Sequence, residues 1–331
     1  MNKDPRIRPS AIAQASPNIA LIKYWGNRDQ HLRIPANGSI SITLGDLLTT
    51  TRVTLDPSLD QDQLTINELP ASTNARDRAQ HLLDWIRSQA GSDIFALIES
   101  QNSFPMGTGI ASSASAFAAM TVAACEAYQL RLGPEALSRI ARRASGSAAR
   151  SLCSGFVELR NSEDDHGAYA ESLHPPDYWE LIDIIAVVDT AHKAVSSSDG
   201  HILADTSPLQ SARIADTPRR LDLCREALAN RDFEQLAQIT ELDSNIMHAV
   251  MMTSTPALLY WQPATLAIMR GVERWRADGL DVCYSIDAGP NVHCITTAQS
   301  APAVMARLQA LETTLQFYRS KPGPGAMLIR S

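Results

Sequence analysis

Residues 104–115 read FPMGTGIASSAS, and a strongly helical apolar stretch runs on from about 113 to 129 until Gly133 and Pro134 break it. Glycine lets a backbone approach an anion closely. The start of a helix presents unpaired N–H groups and the positive end of its dipole. The hydroxyls of Ser112, Ser113 and Ser115 add donors for phosphate oxygens or for magnesium-bound water. Gly107, Gly109, Ala111 and these three serines are therefore candidate phosphate-binding residues. No GK[ST] appears, so the stretch is not a P-loop. An ordinary serine-capped helix after a loop fits the same residues.

Working outward, residues 11–23 read as one strand, and 39–55 with 62–67 as a hairpin or meander. Residues 76–90 read as an amphipathic helix carrying Leu82, Leu83 and Ile86, and 93–101 as a strand. A helix at about 134–145 and buried strands at 155–159 and 181–189 follow. The polar, Pro-rich stretch 161–178 reads as a surface loop near a lobe junction. Helices at 207–229, 232–247 and 263–278, strands at 281–286 and 292–297, a helix near 302–316 and a last strand near 325–330 complete the pattern. At 331 residues the chain is too long for one ordinary core, so two α/β (α+β) lobes are expected, 1–184 and 185–331.

Composition narrows the classes of function. Hydrophobic residues at 44% and charged residues at 20% exclude wholesale disorder. A net charge of −7 argues against nucleic acid as a main partner, though not against a local cationic pocket for a small anion. Five cysteines without CxxC or framework spacing read as reduced thiols. The opening MNKDPRIRPS has no apolar signal core, and no run approaches the length of a membrane span, so no membrane partner and a cytoplasmic location are expected. The eight histidines form no HExxH or HxH cluster, and no protein metal-ligand set is read.

Three further segments carry unusual residues. In NIALIKYWG (18–26), Lys23 interrupts an apolar run; it either neutralises an anionic group or snorkels from an edge strand. Tyr24 and Trp25 read as core or wall residues. In RRASGSAARS (142–151), Ser145 and Ser147 flank a glycine, and Arg150 can hold a carboxylate or phosphate bidentately. Arg142 and Arg143 suit a helix C-terminus or solvent. In DAGPN (287–291), Asp287 ends an apolar strand; it either accepts a proton or caps a turn.

Taken together, NIALIKYWG (18–26), FPMGTGIASSASA (104–116), ARRASGSAARSLCSGFVE (141–158) and DAGPN (287–291) resemble the GHMP kinase superfamily, and within it the mevalonate diphosphate decarboxylase family, over nearly the whole chain. The resemblance implies a two-lobe GHMP kinase fold, with an N-terminal ribosomal-protein-S5-like lobe and a C-terminal ferredoxin-like lobe, usually homodimeric. It implies ATP and Mg²⁺, and a 5-phosphorylated mevalonate as substrate. The C3 hydroxyl is phosphorylated, then phosphate and carbon dioxide leave to give an isopentenyl product. By the same resemblance Asp287 is catalytic base or hydroxyl orienter, and Lys23 supports it. Arg150 and Asn18 hold the substrate carboxylate region. Tyr24, Ser145, Ser147 and Ser197 contribute to substrate binding. Ser112, Ser113 and their neighbours hold ATP phosphates.

Two positions depart from the family pattern. A lysine usually follows IKYWG, where this chain has Asn27, and an arginine usually follows two serines, where Ser196 and Ser197 are followed by Ser198. In the family those cations face a diphosphate. Losing two charge-assisted contacts, at about 1.5–3 kcal/mol each, weakens such a ligand. Decarboxylation of 5-phosphomevalonate to isopentenyl phosphate is therefore expected. The alternatives are a diphosphomevalonate decarboxylase, with His192, Lys193 or Arg28 compensating, and a mevalonate-type kinase that does not decarboxylate.

Overall fold

The computed structural model describes residues 9–104, 112–190, 195–314 and 316–329. Three principal sheets organise them. A six-stranded sheet runs in the order Met327–Ile329, Ser10–Ala15, Thr49–Leu55, Ala96–Asn102, Gln63–Ile66, Leu69–Pro70. A four-stranded sheet runs Ala170–His174, Phe156–Leu159, Ser39–Thr43, Asn18–Ile22. The second lobe holds a sheet in the order Val282–Ser285, Val292–Thr297, Leu181–Val187, Gln316–Ser320.

The run expected as one strand over 11–23 is two strands in two sheets. Ser16 and Pro17 intervene, and proline cannot donate to a ladder. The expected hairpin over 39–55 is also replaced. Ser39–Thr43 pairs with Asn18–Ile22 and Phe156–Leu159, whereas Thr49–Leu55 pairs with Ser10–Ala15 and Ala96–Asn102. Alternation predicted the strands correctly but not their partners, because pairing is set by tertiary packing. The expected loop over 161–178 contains the strand Ala170–His174, and the Tyr178 hydroxyl donates to the Ala229 carbonyl at 2.6 Å. The last helix is shorter than expected, Ala301–Gln309, and Gln316–Ser320 is a strand.

The helix Ser112–Ala127 is buried almost all round, and its alanines let it lie close on the six-stranded sheet. Thr73–Ala90 packs beside it. Its start is capped by Ser72, whose Oγ accepts from Ala75 N at 3.3 Å, and Gly91 ends it in the left-handed region at φ 60°. Between the lobes lies a continuous apolar core. Ile19, Leu21 and Ile42 of the smaller sheet meet Leu228 and Leu236 of the helices Gln210–Asn230 and Phe233–Met252, which meet Ile185 and Ile295 of the second lobe. Ser285 Oγ donates to the Ala20 carbonyl at 2.6 Å, pinning the two lobes strand to strand. The expected boundary at 184/185 falls inside Leu181–Val187, whose whole length pairs within the second sheet. All five cysteines are free, and among the described residues no helix is long and apolar enough to cross a membrane.

Candidate active site

A cleft of about 170 Å³ lies where the lobes meet. Asn18, Lys23, Tyr24, Ser112, Ser113, Ser145, Ser147, Arg150, Ser197 and Asp287 all line it. Five sequence segments far apart in the chain thus converge on one space. Gly107, Gly109 and Ala111 lie outside the described residues, as do His192 and Lys193. Ser115 faces elsewhere than expected. It is fully buried one helical turn in, where its Oγ bonds Thr49 Oγ1 at 2.6 Å and the Ser112 carbonyl at 3.2 Å.

Lys23 does not snorkel. Its side chain is 1% exposed and Nζ stands 2.5 Å from Asp287 Oδ1, while the aspartate keeps 29% exposure toward the cleft. The backbone around Lys23 is held rigidly. Its N–H donates to Asp243 Oδ1 at 2.7 Å, and its carbonyl accepts from Arg213 Nη2 at 2.7 Å and Asn37 Nδ2 at 2.8 Å. Asp243 is itself fully buried and paired with Arg220 at 2.7 Å. The ammonium thus fixes the position of the one carboxylate that faces the cleft.

Arg150 is buried with neutral partners. Nε and Nη2 donate to Asn18 Oδ1 at 3.2 and 3.1 Å, Nε also to Ser41 Oγ at 3.0 Å, and Nη1 to Ser39 Oγ at 2.6 Å. Burial lowers its pKa to about 10, opposed by the charge of nearby Asp287. It remains a cation at neutral pH, oriented by dipoles and facing the cleft. Asn18 is a positioning partner; its Nδ2 donates to Ser151 Oγ at 2.8 Å. Ser145 and Ser147 put their hydroxyls 3.3 Å apart beside Gly146. Arg142 and Arg143 lie in the last turn of the helix Pro134–Ala144, as expected, Arg142 buried and Arg143 partly exposed. Both pair with Asp165 of the NSEDDHG segment, Arg143 at 2.7 Å.

The structure adds Arg33, Arg78 and His201 to the cleft, none of which stood out in the sequence. Arg78 lay on an ordinary helix face. Here its Nε donates to the Ala144 carbonyl at 2.8 Å and its guanidinium lies 4.4 Å from the Phe117 ring centroid. His201 accepts at Nδ1 from Gly26 N at 2.9 Å, and its ring lies 4.3 Å from Tyr24 and 4.6 Å from Trp25. Burial drops its pKa to about 3, helped by neighbouring arginine charge, so it is neutral. The described lining therefore carries Lys23, Arg33, Arg78 and Arg150 against the single carboxylate Asp287. Such a surplus attracts a polyanion.

Asn27 and Ser198 are both neutral at the site. Asn27 is buried, accepts from the Tyr24 hydroxyl at Oδ1 and donates to Gln30 Oε1 at 2.8 Å; Ser198 lines the cleft. Arg28 is spent at the surface on Glu163, 3.4 Å away.

Comparison with known proteins agrees with this geometry. Residues 15–170 match the diphosphomevalonate decarboxylase-like N-terminal domain, and 183–321 match the mevalonate 5-diphosphate decarboxylase C-terminal domain. The chain is 36% identical to a diphosphomevalonate decarboxylase of Aspergillus fumigatus, covering 91% of this chain and 80% of that one. It is 34% identical to a phosphomevalonate decarboxylase of Haloferax volcanii, covering 89% and 90%. A solved structure described as MDDEF in complex with MVAPP, AMPPCP and magnesium superposes with a TM-score of 0.92 at 34% identity, covering 98% of this chain and all of that one.

Proposed function

Because the chain belongs to the diphosphomevalonate decarboxylase family of ATP-dependent carboxy-lyases with the GHMP kinase fold, we propose that within that chemistry its own substrate is 5-phosphomevalonate and its product isopentenyl phosphate. One observation carries the choice. Both positions at which, by the family resemblance, a cation faces the substrate's diphosphate hold neutral side chains here, Asn27 and Ser198, and Asn27 is already committed to Tyr24 and Gln30.

The tertiary C3 hydroxyl is a poor leaving group, so it must first become a phosphate ester. Asp287 takes the hydroxyl proton as that oxygen attacks the terminal phosphoryl group of ATP. Lys23 holds Asp287 in place. Departure of the C3 phosphate builds positive charge at C3; the adjacent carboxylate, held by Arg150, releases carbon dioxide and its bonding electrons form the double bond. Positioning and electrostatics supply nearly all of this catalysis. Ser112 and Ser113 open a helix at the cleft and supply hydroxyls for the ATP phosphates. Among the described residues no three carboxylate, histidine or cysteine side chains gather. Magnesium, bound with ATP, would be held through phosphate oxygens and the hydroxyls of Ser112 and Ser113, where it would neutralise developing charge.

The test is carbon dioxide release from purified protein with ATP-Mg and each substrate in turn. We expect a higher kcat/KM on the monophosphate, and a clear preference for the diphosphate overturns the assignment. Phosphorylated product without gas would instead make the protein a kinase.

A further inference from the structure

Arg33 stands at the end of the turn between the short strands Asn27–Asp29 and Ile34–Pro35, a turn closed by Leu32 N donating to Asp29 Oδ1 at 2.7 Å. Its φ is 49°, in the left-handed region that costs a side-chain-bearing residue energy and that persists where surrounding structure enforces it. It is half-buried on the cleft wall. The other cleft cations are engaged: Lys23 with Asp287, Arg150 with Asn18, Ser39 and Ser41, Arg78 with the Ala144 carbonyl and Phe117. Arg33 makes no hydrogen bond or ion pair among the described residues. Tyr24, Arg78 and His201 line the same cleft, and the Arg33 charge is the leading charged influence on all three.

The neighbours of Arg33 limit what can bind there. The Tyr24 hydroxyl spends its proton on Asn27 Oδ1, and the Asn27 amide is oriented by its own donation to Gln30. Tyr24 therefore offers only acceptor lone pairs. His201 accepts at Nδ1, so its one proton sits on Nε2 as a neutral donor. Lys23, Arg150 and Asp287 gather around C3 and the carboxylate. Two carbons and an ester oxygen separate C3 from the 5-phosphorus, so the phosphate needs its own partners in the same cleft, whose wall Arg33 and His201 also form.

We infer that Arg33 is the cation that binds the 5-phosphate, with the His201 Nε2–H beside it, in place of the cations missing at positions 27 and 198. The inference rests on the 5-phosphomevalonate reading above. A planar guanidinium matches two oxygens of a terminal phosphate at once.

The experiment compares wild type with Arg33→Asn and Arg33→Lys by steady-state carbon dioxide release, using the monophosphate and the diphosphate substrate with ATP-Mg. Asparagine tolerates the left-handed backbone, so Arg33→Asn removes the charge without breaking the turn, and an unchanged melting temperature checks this. The expected result is a KM for 5-phosphomevalonate raised about tenfold or more, with kcat and the KM for ATP little changed and Arg33→Lys intermediate. Unchanged KM for both mevalonate substrates, or a rise confined to ATP, overturns the assignment. If wild type prefers the diphosphate yet Arg33→Asn weakens it equally, the substrate reading fails and the role of Arg33 stands. If wild type prefers the monophosphate and Arg33→Asn changes nothing, the reading stands and Arg33 is dismissed.

Discussion

Lys23 Nζ lies 2.5 Å from Asp287 Oδ1, and the two residues come from different lobes. The ammonium is enclosed by protein while the carboxylate looks into the cleft. The pair therefore forms only when the lobes dock, and the contact of Ser285 with the Ala20 carbonyl sets the distance between them.

Replacing Asp287 with Asn removes the proton acceptor and keeps the shape. Turnover should fall about 100- to 10,000-fold, while ATP binding by calorimetry stays near wild type. The double variant Lys23→Met, Asp287→Asn should lose little more than Asp287→Asn alone, since residues acting as a unit are not additive. Wild-type turnover in Asp287→Asn would remove the residue from the mechanism.

Asp243 supports the site from behind, fully buried between Lys23 N and Arg220. Asp243→Asn leaves the Arg220 charge short of a partner and should cost about 3–5 kcal/mol of stability, read as a lower urea midpoint with an unchanged slope. An effect below about 1 kcal/mol would mean that Asp216, also paired with Arg220, suffices.

Gly146 lies against the Tyr24 ring. A Cβ there would sit 2.2 Å from Tyr24 Cε1. Gly146→Ala must push Tyr24 out of place, so we expect the KM for the mevalonate substrate to rise several-fold or more while the KM for ATP holds. Equal damage to both would assign the glycine to general folding.

Two buried histidines predict an acid weakness. Burial lowers His201 to about 3 and His248 to about 4, the latter helped by the charge of Lys23. Folded-state values below the unfolded value of about 6.5 mean the unfolded chain binds protons first. Their stabilisation is complete above about pH 6.5 and drains away as pH falls toward 4. Each contributes a slope of at most about 1.4 kcal/mol per pH unit. Urea midpoints from pH 7 to 4.5 should show it, and His248→Gln should flatten the profile; an unaltered slope refutes the account.

The site segments were readable because a charge in an apolar run and a glycine-serine loop before a helix are chemically odd wherever they occur. Arg33 and His201 carried no such mark: one sits in a polar turn, the other in a polar loop-like stretch, and only folding brings them to Tyr24. Ser115 misled for the converse reason, since a serine one turn into a helix faces inward or outward according to packing that no local pattern fixes. The same holds for the sheets, where alternation identified strands at 39–55 but the break at Pro17 and the partners Phe156–Leu159 and Ala96–Asn102 decided their pairing.

The polypeptide passes from the first lobe into the second before Leu181 and returns after Ser320, where Gly45 N to the Lys321 carbonyl, Gly323 N to the Thr43 carbonyl and Gly155 N to the Gly323 carbonyl, each 2.9 Å, stitch the return down before Met327–Ile329 joins Ser10–Ala15. Bodies strung on one thread pivot in every direction. Held by two crossings as well as by the apolar core they share, the lobes are braced against rotation, so the machinery at the cleft keeps one spacing.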